Sequence, residues 1–109
     1  MIGAGSSRLA AELERAIDVC DATLAAYAER APEVVESRFA SELRLATAAM
    51  QTLATCLEQE SATPETAMLI AATLCRTAAA EARRYGLDDE ILLCAAACDR
   101  VVALLEPAL

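Results

Sequence analysis

The sequence predicts an all-α fold, an antiparallel up-down-up-down four-helix bundle, on three observations. Apolar residues recur at alternating steps of three and four along four segments, the period of one packed helix face. Of the 109 residues 57% are hydrophobic but only 3% aromatic, with 3 Gly and 3 Pro. That composition suits helices packed closely through small side chains better than it suits a sheet. The breaks between segments are short, which forces consecutive helices antiparallel.

The first helix is expected to start at Ser6 or Ser7, either a fair N-cap, and to run to about Arg30. Its inward seam reads Leu9, Leu13, Ala16, Cys20, Thr23, Tyr27. Pro32 suits the first turn of a second helix with the seam Val35, Phe39, Leu43, Ala46, Met50, Leu53, Leu57. Glu60 to Thr63 reads as a turn. Thr63 as N-cap and Pro64 at the first helical position open a third helix, and Gly86 is placed to close it in a left-handed conformation. The third seam reads Met68, Ala71, Cys75, Ala78, Ala82, Tyr85. Leu87 or Asp88 starts the last helix, with Asp89 and Glu90 favourable in its first turn. Its seam reads Ile91, Cys94, Cys98, Val101, Leu105, and Pro107 lies just past its end. The three-four spacing implies a left-handed, coiled-coil-like packing.

Residues 1–109 read as a single domain, with no second hydrophobic core and no linker. A net charge of −8 argues against nucleic acid, whose phosphates call for clustered Lys and Arg, and against an anionic membrane surface. Met1 to Ser7 lacks the basic start and apolar stretch of a signal peptide. The longest uncharged run, between Arg44 and Glu58, falls short of the roughly 20 residues that span a bilayer. The expected location is therefore cytoplasmic, where cysteines stay reduced. The apolar fraction exceeds what one small monomer needs inside, so a homo-oligomer, a dimer or tetramer, is expected.

Histidine is absent. Histidine-dependent triads, the His-Glu-x-x-His zinc site and imidazole acid-base chemistry are thereby excluded, and no enzyme activity is expected. The five cysteines carry what chemistry is left. Cys94 and Cys98 lie four apart on one helix face, where two thiolates can grip one soft ion. Cys75 and Cys20 occupy facing seams, whereas Cys56 sits beside its seam as interface packing. A tetrahedral zinc site needs four convergent thiolates and leaves charge in an apolar core, so Cu(I), content with two or three sulfurs, fits better. The plainer reading of each cysteine is a small hydrophobe filling a small hole.

Three stretches carry a family resemblance: Ala16-Ile17-Asp18-Val19-Cys20-Asp21-Ala22, Leu74-Cys75-Arg76-Thr77-Ala78-Ala79-Ala80-Glu81-Ala82 and Cys94-Ala95-Ala96-Ala97-Cys98-Asp99-Arg100-Val101. With Ser61 in the turn between helices two and three, the chain from about residue 16 to 105 resembles the four-helix-bundle copper storage proteins. In that family Cys-x-x-x-Cys and Cys-x-x-Cys spacings line every helix, and the thiolates hold many Cu(I) ions. The resemblance implies metal ligands at Cys20, Cys75, Cys94 and Cys98. It also marks departures, since Ala16, Ala46, Met50, Met68, Ala71, Ala78, Ala82, Val101 and other seam residues stand where similar proteins place cysteine. Tyr85 stands where many of them have histidine. The expectation is a cysteine-poor relative holding few Cu(I) ions through core thiolates. The alternative is a metal-free structural or protein-interaction bundle that has lost copper storage.

Overall fold

In a computed structural model of the chain, residues 4–86 and 88–109 are described, with side chains from Arg8 onward. The fold is all-α. Among the described residues there is no strand. Four long helices, α1 (Ala4–Arg30), α3 (Arg38–Glu58), α4 (Pro64–Tyr85) and α5 (Asp89–Leu105), are joined by a one-turn helix α2 (Pro32–Val35) and close with a 3-10 turn at Glu106–Ala108. α3 packs on α4, α4 on α5, α5 on α1 and α1 on α3, so the packing closes into a ring around one core. The molecule measures 45 × 22 × 20 Å. No described helix is long and apolar enough to cross a membrane.

The seams are where the apolar periodicity puts them. Leu13, Cys20, Leu43, Ala46, Met50, Leu53, Ala71, Cys75, Ala82, Cys94, Cys98, Val101 and Leu105 are completely buried. Small residues dominate the α4 contribution, with Ala71, Ala72, Ala78, Ala79 and Ala82 all inside. They remove little apolar area individually but let the neighbouring helices approach closely. Leu57 and Met68, near the α3–α4 turn, are only half-buried.

Four local expectations are corrected. α1 begins at Ala4 within the described residues, so Ser6 and Ser7 lie inside the helix rather than before it. The second helix is broken: Pro32 opens α2 as expected, but Ser37 then caps a separate α3, accepting from the Ala40 N–H at 3.2 Å while its own hydroxyl donates to the Val34 carbonyl. The break shifts the phase, so Val34 is buried and Val35 half-buried. Gly86 ends α4 in an extended conformation, φ 175°, not a left-handed one. The left-handed position is Glu60, φ 52°, at the end of α3. Tyr85 is 42% exposed, and its ring leans on Phe39 with centroids 5.8 Å apart instead of entering the core.

Asp88 does cap α5, its carboxylate accepting from the Glu90 N–H at 3.0 Å. Leu87, the other candidate for that start, lies outside the described residues.

Candidate metal centre

Cys20, Cys75, Cys94 and Cys98 are each completely buried, and all five cysteines are free thiols. Three helices supply the four. α5 presents Cys94 and Cys98 one turn apart on its inward face, α1 brings Cys20, and α4 brings Cys75. Cys20 neighbours both Cys94 and Cys98, and Cys98 also neighbours Cys75, closely enough that each shifts the other's acidity. The neighbours therefore run in the order Cys94–Cys20–Cys98–Cys75. Cys56 is half-buried on α3 and is not one of these neighbours.

Their neighbours divide the thiols into two kinds. Cys20, beside Cys94 and Cys98, is held protonated with its pKa well above the ordinary thiol range, and burial adds to the effect. Cys75 is raised in the same way by neighbouring Cys98 and by burial. Cys98, beside Cys20 and Cys75, is pulled down by them against the opposing effect of burial. Cys94 is lowered by Cys20, again against burial. A thiolate in this core is thus best accommodated on α5, facing donors from the two flanking helices. The Thr23 hydroxyl, which donates to the Val19 carbonyl at 2.9 Å, lies beside Cys94 and also favours its charge.

Helix offset decides whether thiols on separate helices meet, and charged side chains around the cluster report that offset. Arg100 of α5 reaches Glu12 of α1 at 3.7 Å, Arg83 of α4 pairs with Asp99 of α5, and Arg30 of α1 pairs with Glu90 of α5 at 3.0 Å. These pairs are largely exposed, so each contributes little to stability. Thr23 was legible in the sequence as the seam position three residues past Cys20. Its place beside Cys94 depends on the α1–α5 offset and carried no sequence signal.

The donor set discriminates between metals. Among the described residues no group of three or more His, Cys, Asp or Glu side chains is placed to hold a metal ion. A four-thiolate zinc site is therefore not built here. Adjacent thiol pairs are a different matter, because a soft monovalent ion is satisfied by two sulfurs. Cys98 and Cys20, and Cys94 and Cys20, are neighbours drawn from facing helices. No family model, curated protein or solved structure matches the chain.

Proposed function

We propose that the chain is an antiparallel up-down-up-down four-helix bundle whose buried thiols bind Cu(I) in low number, through Cys20, Cys94 and Cys98 with Cys75 alongside. Three ion pairs support the topology. Early residues of one helix meet late residues of its neighbour in Glu12–Arg100, Arg38–Glu81 and Glu90–Arg30. The observation that supports the function is the thiol cluster itself: four fully buried cysteines from three helices, each close enough to another to shift its acidity, in a core otherwise almost wholly apolar.

Each residue has a distinct part. Cys98 and Cys94 are the sulfurs whose negative charge the surroundings favour. Cys20 sits between them and supplies the facing donor. When bound, Cu(I) would supply a positive charge that the apolar core lacks, offsetting the burial of thiolates. Thiol protons leave as the site fills, so affinity rises with pH. The sealed core keeps water and larger ligands from the sulfurs, which suits holding an ion rather than reacting with substrate.

The second reading, a metal-free structural or protein-interaction bundle, is favoured by the lack of any three-ligand group among the described residues. Heat denaturation distinguishes the two. With free Cu(I) at about 100 times its Kd, linkage adds about 2.7 kcal/mol, which raises Tm by roughly 10 °C or more in a domain of this size. The wild type is expected to show that rise, and Cys94→Ala/Cys98→Ala, with helicity retained by circular dichroism, is expected to lose it. An unshifted wild-type melt supports the metal-free reading.

A further inference from the structure

The outer face of the α3–α4 pair differs from the rest of the surface. In a chain that is 24% charged, no charge falls between Arg44 and Glu58 or between Glu65 and Arg76. Leu45, Leu69 and Ile70 stand 51%, 54% and 49% exposed there. The hydroxyls of Thr52, Thr73 and Thr77 donate to carbonyls of their own helices, which spends their polarity locally.

Two of the apolar residues share one groove. Arg38 of α3 reaches Glu81 of α4 across it at 3.4 Å. Leu45 lies two turns along α3 from Arg38, and Ile70 lies three turns before Glu81 on α4, so both flank the groove that this ion pair crosses. The five-residue link between Glu58 and Pro64 makes the two helices antiparallel. At 1.5 Å per residue, Leu45 lies roughly 20 Å from the turn, Ile70 roughly 9 Å and Arg38 roughly 30 Å.

Charge is split along the same axis. At the turn, Glu58, Glu60 and Glu65 are exposed and have no ion-pair partner among the described residues. At the far end two guanidinium groups, Arg38 and Arg84, share the single carboxylate of Glu81 and remain 75% and 78% exposed. The midpoint between Leu45 and Ile70 and the midpoint between Arg38 and the turn both fall roughly 15 Å along the pair. One two-fold axis at that point, in the plane of the face and across the helices, therefore brings Leu45 of one copy level with Ile70 of the other across the shared groove. It also sets each acidic turn against the other copy's Arg38 and Arg84.

We propose that this face is a self-complementary interface at which two copies of the chain form a C2 dimer, with Leu45 against Ile70 at its centre and Arg38 and Arg84 against the acidic turn at its ends. A second copy fits better than an unrelated partner because both complementary elements are already on one face. The proposal is independent of copper binding.

Sedimentation equilibrium of the full chain under reducing conditions tests it. The wild type is expected at twice the 11.5 kDa chain mass. Leu45→Glu and Ile70→Glu, at exposed sites, should each weaken the dimer by about tenfold or more with helicity unchanged, and Leu93→Glu, on α5, should not. Glu58→Arg/Glu60→Arg should weaken it, and so should Arg38→Glu/Arg84→Glu, while the four changes together restore association. A wild type that remains monomeric overturns the proposal. So does a dimer that survives Ile70→Glu or breaks with Leu93→Glu, or a combined charge exchange that recovers nothing.

Discussion

Tyr27 holds the one buried side-chain oxygen without a hydrogen-bond partner among the described residues. Its ring is 5% exposed, with the Arg30 guanidinium 4.6 Å from the ring centroid. Burial, and then the nearby Asp88 carboxylate, push the phenol from its ordinary 10.0 up to about 12. Between those values the folded chain keeps a proton that the unfolded chain gives up. Stability is therefore unaffected by Tyr27 below pH 10 and falls as pH rises from 10.0 to about 12. Tyr27→Phe should leave stability at pH 7 unchanged or higher, since no hydrogen bond is lost, and should flatten that alkaline decline. Urea denaturation of both proteins at pH 9 and pH 11 checks this, and equal losses in the two would refute it. The burial of Tyr27 was legible from its seam position. The missing partner for its hydroxyl was not, because it depends on where Asp88 sits after α5 is capped.

At the scale of the element, the ends of α3 set its stability. Ser37 caps its start through the Ala40 N–H, so Ser37→Ala should cost about 1 kcal/mol. At its other end the Ser61 N–H reaches the Cys56 carbonyl at 2.9 Å and the Glu60 N–H reaches the Leu57 carbonyl at 3.3 Å. That is the Schellman pattern, with Glu60 in the left-handed position glycine prefers. Glu60→Gly should accordingly raise stability by about 1 kcal/mol, because a Cβ in that conformation is strained. Chemical denaturation measures both changes, and the opposite sign in either would contradict the cap assignment. The sequence announced the turn at Glu60 but not which residue turns left-handed, since Gly is absent there. It also hid the break at Ser37. Val35 and Phe39, four apart, extend the helical period smoothly, and only the cap shows that Val34 takes the inward place.

For the whole molecule, four apolar seams were enough to specify an all-α fold. Each long helix buries most of the face its three-four spacing marks, because an amphipathic helix has one way to remove that face from water. The site was legible in part. Sequence placed Cys20, Cys75, Cys94 and Cys98 on inward seams, and all four are buried. Whether they touch depended on the axial offsets of α1, α4 and α5, which no local pattern encodes. With those offsets the four thiols neighbour one another in sequence, and among the described residues no three ligating side chains converge. The proposed low copper capacity is consistent with that arrangement, since seam positions such as Ala16, Ala71 and Ala78 offer no further donor. Two sulfurs per ion is the coordination the proposed site would use.

Anaerobic titration of Cu(I) against a chromophoric chelator, followed by the chelator's absorbance, tests that most directly. The wild type should withdraw about one or two Cu(I) per chain from the chelator, as two-sulfur coordination by four thiols implies, while Cys94→Ala/Cys98→Ala withdraws none. A wild type that withdraws no copper, or a double variant that withdraws as much as the wild type, would contradict a thiol-bound copper site in this core.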